Sequence, residues 1–226
     1  MKKFFVSIII LYFQYFVPCY SHVEHYKNFN SLNYELFRND NSIGYHNYNF
    51  KREGDSLIVK SVVEFKITKL GVDLYNYFAE SVETFANNAF YSFSSKTNQN
   101  KKNKYVKIKT NEKELIIDGS SYKGKANKEY IVGTWWNHEI VKAKAQISAI
   151  SGRIIEQNVT FVGKEVIELY GKKYNALHFN FASSDESLPE KKRLNTDIWY
   201  EESSYIWLKA AFNKSGRWEY RLKNKN

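Results

Sequence analysis

Apolar and polar residues alternate along most of the chain with a period of two, the spacing that puts one set of side chains on each face of a strand. Val59, Ser61, Val63, Phe65 and Ile67 share one face, with Lys60, Glu64, Lys66 and Thr68 on the other. Leu74, Asn76 and Phe78 then alternate with Tyr75, Tyr77 and Ala79. Near the C-terminus Leu177/Phe179/Phe181, Ile206/Leu208/Ala210/Phe212 and Trp218/Tyr220/Leu222 repeat the pattern. Turn-forming residues at 39–41, 51–55, 87–88 and 98–103 separate these runs. Turns at such short intervals predict an antiparallel meander rather than βαβ units. Residues 137–146 break the alternation: Asn137 can cap and the helix formers after it predict a short helix. The expected fold is all-β and mainly antiparallel. It is a single large curved sheet, or half-open barrel, of about 10–13 strands with one short helix near 137–146.

The first residues read differently. Met1-Lys2-Lys3 is a basic start, residues 4–13 are almost wholly apolar, and Pro18 precedes the small or polar Cys19 to Ser21. This is the layout of a secretory signal peptide, with cleavage expected after Ser21. The apolar run is too short for a membrane-spanning helix, which needs about 20 residues. The expected organisation is a leader over 1–21 and one antiparallel β domain over 22–226, periplasmic or secreted. Cys19 is the only cysteine. It leaves with the leader, unless it is a lipid attachment site, for which Phe16-Val17-Pro18 is a poor lead-in. The remaining chain then has no disulfide and no thiolate chemistry.

Charge and chemistry exclude more than they assign. The net charge of +10 becomes +8 once Lys2 and Lys3 go, which could suit an acidic surface. Lysine outnumbers arginine 28 to 6, whereas base readers favour the arginine fork, so no nucleic-acid partner is expected. His22, His25, His46, His138 and His178 show no metal-ligand spacing. A new N-terminus at His22 could chelate copper through its amine and imidazole, with His25, His46 or His178 as partner; no other metal or cofactor is suggested. There is no G-x-S-x-G elbow. The adjacent carboxylates Glu201-Glu202 point to opposite strand faces, and Asp185-Glu186 reads as a solvated turn. Glu83 reads as a structural carboxylate paired with a lysine. No catalytic residue is assigned.

The blocks IGYHNYNF (43–50), GDSLIVKSVVEFKITKLGVDLYNYFAESVETF (54–85) and SKTN (95–98) carry a resemblance, as do GKKYNALHFNF (171–181) and DIWYEESSYIWLKAAFNKSGRWEYRL (197–222). Together they resemble DUF6134, a group of bacterial envelope proteins, itself related in pattern to DUF3108. The resemblance implies no activity. It implies a fold similar to the lipoprotein-carrier type, a curved antiparallel sheet around an apolar interior beside a helix.

Aromatic residues make up 17% of the chain. Aromatics fill sheets well, so most of them are expected in the core. One short helix cannot cover the inner face of so large a sheet, and the surplus face could form a concave pocket. Val63, Phe65, Leu74, Phe78, Phe179 and Phe181 are its expected wall, with Trp135 and Trp136 as its gate. The expected partner is an apolar or lipid-like ligand, with lysines at the rim drawing an acidic head group. The alternative is an envelope interaction or assembly protein with a filled core and no ligand.

Overall fold

The computed structural model describes Tyr26 and residues 28–226. The leader, Cys19, His22 and His25 lie outside the described residues. Strands β1 (Ser31–Arg38), β2 (Asn41–Glu53), β3 (Ser56–Lys69), β4 (Val72–Ala86) and β5 (Ala89–Gln99) run up and down in order. They are followed by β6 (Lys102–Thr110), β7 (Glu114–Gly119), β8 (Lys123–Asn127), β9 (Ile131–Val132) and β10 (Ala145–Ile147). The last five are β11 (Ile154–Leu169), β12 (Lys172–Ser183), β13 (Asn195–Glu201), β14 (Trp207–Asn213) and β15 (Arg217–Lys225).

All fifteen belong to one sheet in the order β8-β7-β6-β5-β4-β3-β2-β1-β15-β14-β13-β12-β11-β10-β9. Two meanders therefore grow outward from a central antiparallel pair, β1 with β15. The short β9–β10 pairing is parallel. β8 and β9 end the sheet without pairing to each other, so it does not close into a barrel. The count exceeds the expected 10–13 because β8, β9 and β10 are too short to show alternation.

The tight hairpins follow from local chemistry. Asn39-Asp40, Asn87-Asn88 and Asn100-Lys101 take positive φ at both central residues, as two-residue hairpin turns require, and Asn and Asp tolerate that region. Gly44 in β2 is needed for a different reason: a Cβ there would lie 2.6 Å from the Phe65 Cα on β3. Over residues 137–146 only His138–Lys142 winds, as a 3-10 turn capped by the Asn137 side chain. The segment then extends as β10, because Gln157 on β11 donates to the carbonyls of Ile140 and Ala143 and accepts from Gln146 at 2.7 Å.

The inner face is filled in two places. Around β1–β3 and β12–β15, Leu32, Tyr34, Phe50, Val59, Phe181, Ile198 and Trp207 bury one another. At the other end Val132 and Ile147, on β9 and β10, pack across Phe93, Val106, Ile108, Leu115 and Ile117 of β5–β7. Ser121 N donates to Ser151 O at 2.9 Å along the same seam. The sheet thus rolls up by packing its ends together, not by completing its ladder.

Candidate functional site

The cross-strand rungs of the inner face change character along the strands. Phe50, Val59, Glu83, Phe93 and Ile108 form one rung, bulky and mostly apolar. The next is Tyr48, Ser61, Ser81 and Ser95, and the one after it His46, Val63, Ala79 and Thr97. Small hydroxyl-bearing residues replace phenylalanine, so the sheet cannot fill its own interior there. A cavity of about 950 Å3 results, lined by these residues together with Tyr77, Trp135 and Tyr220. Its size is at the upper end of small-molecule sites. Arg153, Glu186, Glu190, Arg193 and Lys214 also border it; Arg193 Nε donates to Leu188 O at 2.6 Å and Arg153 to Lys192 O at 3.2 Å, pinning the loop before β13.

Residues 133–137 cross the interior and form the floor. Irregular backbone there must satisfy its polar groups locally. Three successive carbonyls are each taken by a tyrosine hydroxyl: Thr134 O by Tyr48, Trp135 O by Tyr200 at 2.9 Å, and Trp136 O by Tyr26 at 2.5 Å. Trp136 N donates to Thr134 O at 2.8 Å, closing a three-residue turn around Trp135, whose φ is +61°. Positive φ in so bulky a residue is a strained conformation that surrounding contacts must enforce. Replacing Tyr48 with phenylalanine removes one of the two hydrogen bonds to the Thr134 carbonyl and leaves that from Trp136 N. The expected cost is about 0.5–1.5 kcal/mol in chemical denaturation, with the strands otherwise intact by circular dichroism.

The turn sends its two indoles opposite ways. Trp136 is buried in the filled half, edge-on to Phe50, Phe85 and Tyr26. Its Nε1 donates to Glu83 Oε2 at 2.8 Å, and Thr134 Oγ1 donates to the same oxygen at 3.3 Å. Glu83 is only 2% exposed, and no ion pair reaches it among the described residues. Burial pushes its carboxyl up to about 7, against the opposing pull of the two donors. The expected lysine partner is thus replaced by an indole and a hydroxyl.

Trp135 instead faces the cavity, edge-on to Trp207 and Tyr220. Its Nε1 is buried and has no hydrogen-bond partner among the described residues. His46 lies across the same aromatic box, 4.3 Å from the Tyr48 ring and 6.0 Å from that of Tyr220. It is 9% exposed, and neither ring nitrogen has a partner among the described residues. Burial pulls its pKa down to about 3, so the imidazole is neutral near pH 7, with one donor and one acceptor.

The expected wall residues divide. Val63 and Trp135 line the cavity. Phe65 is buried on the same face, stacked on Tyr77 at 4.7 Å and edge-on to Trp218. Phe181 is fully buried in the apolar core, Phe179 packs against it, and Trp136 lies beneath the floor instead of gating the mouth. Leu74 and Phe78 are 54% and 42% exposed on the outer face, because β3 sets Phe65 opposite Tyr77 and Val63 opposite Ala79. The hydroxyl rung is not among the expected site residues, although Ser61, Ser81 and Ser95 at inward positions are its signal, and the sequence offers His46 only as a copper partner for His22. His138 stacks on Tyr205, while His178 sits between Glu165 and Asp197, 3.1 Å from each.

The profile of DUF6134, a domain of unknown function, matches residues 34–223. The chain belongs to the DUF6134 family. The match runs from β1 into β15 and takes in the cavity, its floor and most of both filled regions. No curated protein is detectably similar to this DUF6134 chain. Among solved structures it is similar to a beta-barrel-like protein of domain of unknown function DUF1849 from Brucella abortus. The TM-score is 0.60 at 12% identity, over 87% of this chain and 95% of that one. The likeness is one of fold, a rolled sheet with a barrel-like outline.

Proposed function

We propose that this DUF6134 protein is an exported binding protein that holds a small, uncharged ligand in the cavity of its rolled sheet. Export rests on the leader pattern of residues 1–21. The observation that carries the binding reading is His46, a buried neutral imidazole open to the cavity without a partner among the described residues. Unpaired buried polar groups are costly, so their presence on a cavity wall favours a ligand that completes them.

The lining also selects among ligands. A bare acyl chain would satisfy neither His46 nor Trp135 Nε1, and would lie along the row of serine hydroxyls. A charged ligand would lose its hydration at the depth of His46 without a counter-ion. A molecule with an apolar body and hydroxyl or amide groups fits both the aromatic faces of Tyr48, Tyr77 and Tyr220 and the polar rung. The apolar ligand expected from the sequence is thereby narrowed to an amphipathic, uncharged one.

Native mass spectrometry of the protein taken from a bacterial periplasm, without detergent, tests this. The expected spectrum shows a discrete added mass that is lost on denaturation and fragments as a hydroxylated or amide-bearing compound. His46→Leu should lower the affinity by about tenfold, the worth of one good hydrogen bond, and reduce the bound fraction accordingly. An apo mass alone would reject the binding reading, and a plain fatty acid would reject the ligand class.

A further inference from the structure

The β3–β4 hairpin outruns its neighbours. β2 pairs with β3 only as far as Gly44 opposite Phe65, and β5 pairs with β4 only as far as Gln99 opposite Tyr77. Beyond these points β3 and β4 pair with each other alone, down to Lys69 opposite Val72. A two-stranded ribbon without a covered face has little to stabilise it in water. This one is braced at its base, where Asn100 N donates to Asn76 O at 2.9 Å and the Asn100 side chain to Leu74 O at 3.3 Å.

The arm carries aliphatic side chains where solvent is expected. Leu70 at the turn is 95% exposed, Val72 61% and Leu74 54%. Around them stand the exposed lysines Lys66 and Lys69 on the arm, Lys101 on the adjoining β5–β6 turn and Lys102 at the start of β6. Asp73 is the one acid on the tip, and it accepts from Thr68 Oγ1 at 3.0 Å. An apolar tip inside a lysine collar has the make-up of an interfacial anchor: the tip enters the head-group boundary while the lysines meet lipid phosphates. Their long stems let the charges stay in the wet layer as the tip sinks. The net charge, +8 once Lys2 and Lys3 leave with the leader, has the same sign and adds long-range attraction.

We propose that the β3–β4 arm docks the protein on an anionic lipid surface, with Leu70, Val72 and Leu74 inserted and the lysine collar on the phosphates. The cavity and the arm are separate features, and the docking does not depend on the ligand.

Vesicle flotation tests it, comparing variants of the same chain on phosphatidylglycerol–phosphatidylethanolamine vesicles and on phosphatidylcholine vesicles. The protein should float with the anionic vesicles and stay behind with the neutral ones, and added salt should weaken the binding. The triple variant Leu70→Ser, Val72→Ser, Leu74→Ser should reduce binding at least tenfold. Its denaturation midpoint should not move, since these side chains pack against neither core cluster. Lys69→Glu with Lys101→Glu should weaken both the binding and its salt dependence severalfold. Binding unchanged in the triple variant, or equal on neutral vesicles, would overturn the proposal. So would failure to float accompanied by burial of the arm in a dimer of the chain.

Discussion

Trp136→Ala will remove about 3–5 kcal/mol of stability, a large part of the roughly 5–15 kcal/mol that holds a typical domain folded. Two losses combine. The indole is 1% exposed and packed edge-on against Phe50, Phe85 and Tyr26, so its deletion opens a hole that the stiff crossing segment cannot collapse into. The same change also strips Glu83 of its closer hydrogen-bond donor in an apolar rung. Trp136→Phe separates the two. It keeps most of the packing and still leaves Glu83 dependent on Thr134, so it should cost noticeably less at pH 5, where the carboxyl is protonated, than at pH 8. Urea denaturation at the two pH values reads the difference. An equal loss at both would mean that the indole–carboxylate bond contributes nothing measurable.

How far the sequence reaches can be judged at particular positions. Strands and hairpins are legible because period-two alternation and the Asn-rich turns are local signals, as at Asn39-Asp40 and Asn87-Asn88. The face that each strand turns inward is not always local. On β4, Leu74/Asn76/Phe78 and Tyr75/Tyr77/Ala79 are about equally apolar, and only the register against Phe65 and Val63 decides. The same holds for Trp135 and Trp136: adjacency in sequence suggests a common role, whereas a positive φ at Trp135 sends one to the cavity and the other to the core. Crossing backbone held by tyrosines from β2, β13 and residue 26 is a product of tertiary structure and leaves no sequence motif. The family was legible from short motifs, and two of their residues now have physical reasons. Gly44 has no room for a side chain against Phe65, and His46 looks into the cavity.

His46 and Glu83 will make a joint contribution to stability that is nearly level between about pH 4.5 and 6.5, through two large opposing slopes. The imidazole, with a native pKa of about 3 against 6.5 when unfolded, takes its proton first in the unfolded chain. Its contribution is complete above pH 6.5 and is lost as pH falls toward 3, about 5 kcal/mol in all. Glu83, at about 7 against 4.5, holds its proton more tightly when folded. It costs nothing below pH 4.5 and about 3 kcal/mol above pH 7. Between 4.5 and 6.5 one group gains about 1.4 kcal/mol per pH unit and the other loses it. The rings facing His46 are Tyr34, Tyr48, Trp207 and Tyr220, and burial raises the pKa of all three tyrosines, so none titrates in this window. Carboxylates held low by their partners, such as Glu139 beside His138 and Lys142, act below it. Glu83→Gln should therefore unmask a stability that climbs by about 3 kcal/mol from pH 4.5 to 6.5. His46→Leu should unmask the reverse, a fall of similar size as pH rises through the same interval, and the double variant should be level again. Urea midpoints at pH 4.5, 5.5 and 6.5 for the four proteins decide it. Single variants as level as the parent would show that neither group is as desolvated as its burial implies. A ligand that donates to the bare ring nitrogen of the neutral His46 would hold the imidazole unprotonated, so such an occupant of the cavity should also protect the protein against acid below pH 4.5.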